Sequence, residues 1–196
     1  MAVSTASNTP LDICSRALIL IGAEPITSFE DGNNEALVAS NMYEDVAQSA
    51  LVNTRWRFAT DQLVLNRLSA VPTGRYDASY QMPNNSLMIH TLTVNGFNIE
   101  FQTYSDNLFC DANSSDVVIA DYTYRVTEEY WPSYFTMAVQ FQLASVFAIS
   151  LARDGNLSQL MDQKGGMLMA KARGLDSQSQ TTRRLDTTRF INNRRS

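Results

Sequence analysis

The chain has 196 residues, 44% of them hydrophobic and 18% charged, which is enough to bury a real core and too apolar for a wholly disordered protein. Its net charge of −5 hides an asymmetry: from Lys171 onward seven basic residues face two acidic ones, leaving eight basic against eighteen acidic elsewhere. Such an acidic body argues against a general nucleic-acid binder, and Cys14 and Cys110 are too few and too far apart for a disulfide framework or metal cluster.

The first element has clear ends. Thr9 caps, Pro10 takes the first helical position, Asp12 falls three residues after the cap, and Gly22 closes. Leu11, Cys14, Leu18 and Ile21 share one helical face, which Ile13, Ala17 and Leu20 widen. A second helix begins at Asn33 or Asn34 and turns Ala36, Tyr43, Val46, Ala47 and Ala50 inward. Small residues between them let the two helices approach closely, and this antiparallel pair is expected to be the scaffold. No basic start precedes it, so no secretory signal is read, and the two thiols read as buried and inert in a reducing compartment.

After Trp56-Arg57-Phe58 the period becomes alternating. Strands are predicted near Phe58–Leu68, Tyr76–Met82, Leu87–Val94, Phe97–Tyr104, Leu108–Cys110 and Val117–Val126. Asn95-Gly96 predicts a two-residue type I′ hairpin, with Phe97, Ile99 and Phe101 on one apolar face. The loop Asp111–Asp116 lacks the ligand spacing of a calcium site. Tyr130-Trp131-Pro132 introduces a third helix, apolar on nearly all sides from Phe135 to Ala152. Gln140 and Gln142, with Thr136, Ser145 and Ser150, argue against a membrane span, leaving burial in the chain's own core or against neighbouring subunits. Arg153-Asp154-Gly155 reads as its stop. A fourth helix is expected from about Leu157 to Arg173, with Leu157, Leu160, Met161, Leu168 and Ala172 on one stripe. Gly165-Gly166 interrupts that stripe, either for close packing or as a hinge. From Gly174 the chain turns polar and is expected to be disordered or extended.

Nothing in the chain reads as catalytic. The single histidine, His90, falls in a predicted strand, and Glu128-Glu129 looks like an exposed edge. Nucleophile elbows, phosphate loops, dinucleotide fingerprints and metal-ligand spacings do not occur. The expectation is a non-enzyme with no cofactor and no metal.

One resemblance stands beside this reading. Asp12-Ile13, then Ile21-Gly22-Ala23-Glu24-Pro25-Ile26, Phe29-Glu30, an Ala-rich acidic helix and Trp56-Arg57-Phe58 together resemble the tail tubular protein A family, the head-to-tail adaptors of T7-like short-tailed bacteriophages. The resemblance implies a structural virion protein, made in the host cytoplasm, that forms a ring of about twelve copies. It would sit between the portal and the tail nozzle protein, with double-stranded DNA passing through the lumen unread. The expected architecture is α+β: a bundle of about four helices with an inserted antiparallel β-domain, sheet or partial barrel, and an extended tail. Its divisions are 1–57 (helical pair), 58–130 (β-domain), 131–173 (completing helices) and 174–196 (Arg-rich tail). Gly22, Glu24 and Pro25 form the family-like turn, and Trp56, Phe58 and Trp131 are candidate anchors between domains. Arg183, Arg184, Arg189, Phe190, Arg194 and Arg195 are candidates to dock on the portal or a neighbouring subunit, since arginine pairs well with surface carboxylates. Two alternatives stay open: a head-completion connector of a long-tailed phage, or a monomeric nucleic-acid-binding module using the basic tail.

Overall fold

The first helix shows how closely local chemistry sets the element ends. In α1 (Pro10–Leu20) the Thr9 hydroxyl accepts the Asp12 N–H at 3.1 Å while the Asp12 carboxylate accepts the Thr9 N–H at 3.2 Å, a reciprocal capping box. At the other end Gly22, at φ 77°, donates to the Ile19 carbonyl and Ala23 donates to Leu18, closing a Schellman turn. The computed structural model describes residues 8–70 and 74–179, in which four helices and two antiparallel sheets form an α+β fold. The expected Arg-rich docking residues Arg183, Arg184, Arg189, Phe190, Arg194 and Arg195 lie outside the described residues.

Helix α2 (Asn34–Val52) begins under an Asn33 side-chain cap to the Ala36 N–H at 2.8 Å, and buries Ala36, Ala39, Tyr43, Ala47, Ala50 and Leu51. The scaffold is not the α1–α2 pair that the sequence led us to expect. Both helices pack chiefly on α3 (Ser133–Ser150), which also carries α4 (Gly155–Gln178). The reason is side-chain volume. Helix α3 presents Phe135, Val139, Leu143 and Phe147 as one stripe of large, fully buried side chains and also buries Ala138, Ala144 and Ala148, whereas α2 offers mainly alanines. Most of the apolar surface of α3 is thus covered inside one subunit, with Met137 and Ile149 left exposed. Of the α1 face, Leu20 turns outward instead of widening the core.

Helix α4 differs most from expectation. Asp154 both ends α3 and starts α4: after Arg153 at φ 53° its N–H donates to the Ala148 carbonyl at 3.1 Å, while its carboxylate accepts the Asn156 and Leu157 N–H groups at 2.9 and 3.0 Å. The buried stripe is Ser158, Met161, Gly165, Met169, Ala172 and Asp176, and the expected stripe member Leu160 is exposed. Gly165 and Gly166 lie within a continuous helix. A Cβ on Gly165 would meet Gln142 at 3.3 Å, so this glycine serves close α3–α4 packing; one on Gly166 meets nothing within 4 Å. Gly166→Ala should therefore stabilise the protein by about 1 kcal/mol through helix propensity. Gly165→Ala should gain measurably less, because α3 must yield; equal shifts in urea midpoint would refute this assignment of the two glycines.

Residues Gly174–Gln178, expected to be extended, are helical. What holds them is Asp176, only 5% exposed, whose carboxylate accepts the Arg57 N–H at 3.1 Å and the Tyr134 hydroxyl at 3.0 Å. Asp176→Ala leaves both donors unpaired. The expected cost is about 1–3 kcal/mol, with amide exchange rising first in residues 172–178.

The β-unit contains β1 (Thr60–Val64), β2 (Ala78–Gln81), β3 (Ser86–Val94), β4 (Phe97–Ile99), β5 (Phe101–Tyr104), β6 (Asn107–Cys110) and β7 (Val118–Tyr124). One sheet has the order β1-β7-β3-β4 and the other β2-β6-β5. The Asn95-Gly96 hairpin forms as expected, with both turn residues at positive φ. Three strand expectations are corrected. Phe58 lies in a 3-10 turn (Arg57–Ala59) before β1, because its ring is drawn into the helical core. Phe97–Tyr104 is not one strand: it breaks at Glu100, its two halves joining different sheets. Phe97 is 76% exposed at the hairpin tip and not on an apolar face.

The opposite edge crosses between sheets in the same way. After β1 the Leu65 N–H donates to Val118, then Leu68 donates to Ser79 and the Gln81 N–H to Asn66. Two crossing segments thus wrap the sheets into a partial barrel around Leu65, Tyr80, Leu92, Leu108, Cys110 and Val118. A separate apolar core lies among the helices and extends to Trp56, Val126 and Trp131.

Candidate functional site at the helix–barrel junction

Trp56 and Trp131 stand where the chain leaves and re-enters the helices. Trp56 is fully buried, and its indole N–H donates to the Ala50 carbonyl at 2.9 Å. That carbonyl belongs to the last turn of α2, where helical carbonyls lack intrahelical partners, so the indole acts as a side-chain cap. Trp131 donates to the Val126 carbonyl at 3.1 Å. Both indoles stand edge-on to the Phe135 ring, at 5.1 and 4.9 Å between centroids, and Phe58 lies 5.0 Å from the same ring. Phe135 of α3 is therefore a hub against which both crossings of the chain are fixed. The sequence brought these three anchors to attention but not their common partner.

Beside the hub runs an ionic cluster. Arg125, one residue past the end of β7, grips Glu44 of α2 with two hydrogen bonds, at 2.8 and 2.9 Å. It also bonds Glu128, donates to the Val126 carbonyl and lies over the Trp131 ring. Glu128, only 8% exposed, accepts the Tyr43 hydroxyl at 2.8 Å. The expectation that Glu128 is an exposed edge is thus wrong: the 3-10 turn Glu128–Tyr130 folds it inward beneath Arg125. Burial pushes the Tyr43 phenol up, helped by the Glu128 charge, so it stays a donor. On the other side Arg57, leading into β1, meets Asp176 of α4, and burial with the Asp176 bond pushes Tyr134 up to about 12. A second tie joins Arg55 to Asp121 of β7 at 2.8 Å. Helices α2 and α4 are bonded to the segments flanking the barrel, and α3 packs on them through Phe135.

Glu44 is held below the usual carboxylate range, first by its Arg125 hydrogen bond. A carboxyl depressed in the folded state contributes stability above its unfolded pKa and loses it as pH falls through the folded value. Glu44→Gln should accordingly flatten the acid limb of the stability profile. Its side chain is 48% exposed, so the loss at neutral pH should stay below about 1 kcal/mol. An acid limb identical to the parent's in urea titrations between pH 3 and 7 would contradict this.

Gly22, Glu24 and Pro25 are exposed in the turn at the end of α1, while their neighbours Ile21, Ala23 and Ile26 pack in the helical core. His90 is half-buried, pairs with the Thr123 hydroxyl at 2.8 Å, and has its pKa lowered by burial and by Arg55. Burial pushes Cys14 up to about 12 and Cys110 up to about 11, which leaves both free thiols unreactive while the chain is folded. Among the described residues no group of three or more His, Cys, Asp or Glu comes together as a metal site, and no helix is long and apolar enough to cross a membrane. Sequence reasoning turned Tyr43 inward and took Glu128 for an exposed edge, but it did not join them to Arg125 and Glu44 or give Asp176 a role, because ion pairs formed across distant segments leave no periodic signal. No family model matches the chain, and no curated protein matches it.

Proposed function

We propose that this chain is a structural head-to-tail adaptor of the tail tubular protein A type, assembling as a ring between a phage portal and the tail nozzle. The observation that carries the reading is the division of labour among the residues of the resemblance. Gly22, Glu24 and Pro25 are exposed and available to partners, while Trp56 is buried and Phe58 half-buried at the joint between helices and barrel. That joint, bonded to α2 and α4 and packed on α3, suits a ring component that must hold two units at a fixed angle under load. A closed ring multiplies modest contacts, and an acidic body would not retain the DNA that slides past it. In this reading the ring has about twelve copies, belongs to the virion and is made in the host cytoplasm. The basic residues Arg183, Arg184, Arg189, Arg194 and Arg195, with Phe190, meet carboxylates of the portal or of a neighbouring subunit.

The test is co-expression with the portal protein of the same phage, followed by sedimentation and imaging. The expected outcome is a ring stacked coaxially on the portal; a monomer that ignores a well-formed portal ring sinks the proposal. The chain shortened after Ser179 keeps Asp176 and all of α4, so it isolates the contribution of the basic segment. Salt-sensitive DNA binding by the isolated full chain would favour the nucleic-acid-binding alternative instead.

A further inference from the structure

The partial barrel has an open seam. Only Leu92–Val94 of β3 pair with β4; the first part of β3, Ser86–Thr91, pairs with β7 alone. Among the described residues, strand β5 pairs with β6 and with no other strand. Between β3 and β5 lie two successive hollows. One, of about 410 Å³, is lined by His90, Thr91, Ile99, Glu100, Phe101 and Gln102. The other, of about 280 Å³, lies among Met82, Met88, Ile89 and Thr103. Tyr104 and Asn107 flank the two-residue turn of the β5–β6 hairpin and so form its hydrogen-bonded pair. Alternation then points the N–H and C=O groups of Thr103 and Phe101 away from β6, towards the seam.

An open strand edge beside a hollow that offers both apolar side chains and a carboxylate is the geometry that accepts an extended segment as an added strand. The chain carries a fitting occupant. Residues 180–196 hold five arginines and one aspartate, whereas residues 58–130 hold nine acidic residues against three basic. Thr187-Thr188-Arg189-Phe190-Ile191 is β-branched and aromatic, as strand residues tend to be. Helix α4 ends at Gln178, with Asp176 bonded to Arg57 at the entry to β1, so the segment departs from beside the barrel. Its 17 residues span up to about 56 Å when extended, more than the width of a domain this size. Tethering also gives it a millimolar effective concentration at its own barrel.

We propose that residues 187–191 add to β5 of their own subunit as an edge strand, Phe190 covering the hollow beside Ile99 and Phe101 and Arg189 facing Glu100. The inference does not depend on the adaptor reading. It describes the isolated subunit, and in a ring the same segment becomes available by exchange. Amide exchange of the full chain at low micromolar concentration tests it, against the chain ending at Ser179. The Phe101 and Thr103 amides should exchange about tenfold more slowly in the full chain. Phe190→Asp in the full chain should abolish that protection, and raised salt should weaken it. Equal exchange in both chains overturns the proposal. So does protection that grows with protein concentration, which would place the segment on another copy. Thr103→Pro provides the second readout: its N–H is not used by β6, so the barrel should persist while the Phe101 protection is lost.

Discussion

Trp56→Ala should lower the unfolding free energy by about 3–5 kcal/mol, the cost of emptying a fully buried large aromatic site, and move the urea midpoint down by roughly 1–3 M. Trp56 packs edge-on to Phe135 and 5.9 Å from Phe58, so truncation strips two rings of a neighbour at once. It also removes the donor that caps the Ala50 carbonyl. Trp56→Phe separates these contributions: it keeps an aromatic ring in the site but not the N–H, and should cost about 1–2 kcal/mol for the unmet carbonyl and the smaller volume. Domains have only about 5–15 kcal/mol in hand, so Trp56→Ala should be partly unfolded in mild denaturant while Trp56→Phe is not. Trp131 remains as the fluorescent probe in both variants. Indistinguishable midpoints for Ala and Phe would mean that the ring contacts contribute little and that the hub is misassigned.

The same residues show how far sequence reasoning reaches. Ends of elements were legible wherever one or two neighbours determine them: the Thr9–Asp12 box, the Gly22 turn, the Asn33 cap and the Asn95-Gly96 hairpin all form as their chemistry demands. The buried stripe of α4 was legible only in part: Met161 and Ala172 are buried as expected. Ser158, Gly165 and Asp176 occupy positions at helical spacing, yet none is hydrophobic, so a search for apolar residues passed over them and took exposed Leu160 instead. Asp176 also carried the helix five residues beyond the expected end, since its partners Arg57 and Tyr134 lie 119 and 42 residues away. The break at Glu100 escaped for a related reason. Alternation continues through Phe97–Tyr104, and a period of two cannot say that a strand has changed sheets. Of the candidate site, Trp56, Phe58 and Trp131 were legible as large aromatics flanking a change of period. Their meeting on Phe135, and the Arg125 cluster beside them, depend on contacts between segments that only the fold brings together.

Arg125→Met should cost about 3–5 kcal/mol, although the replacement is apolar and close in length, because it strands a buried carboxylate. Glu128 is 8% exposed and would be left with the Tyr43 hydroxyl as its remaining side-chain donor. Most of the loss lies on this arm. The Glu44 arm is half in water, and its two hydrogen bonds are worth little against solvent and salt. Removing the buried charge as well should reverse much of the damage. In Arg125→Met/Glu128→Gln the amide still accepts from Tyr43 and has no charge to desolvate, so the double variant should be more stable than Arg125→Met alone. A coupling of about 1–3 kcal/mol is expected from the cycle. Arg125→Met/Glu44→Gln is the control and should show much less recovery. Location gives this cycle a second readout. Arg125 joins the end of β7 to α2, so its loss should raise amide exchange at Glu128–Trp131 and around Tyr43 before it does so in the barrel interior at Leu92 or Leu108. If the two double variants recover equally, the buried Glu128 arm is not what makes Arg125 matter, and the cluster is a surface ion pair that happens to lie over Trp131.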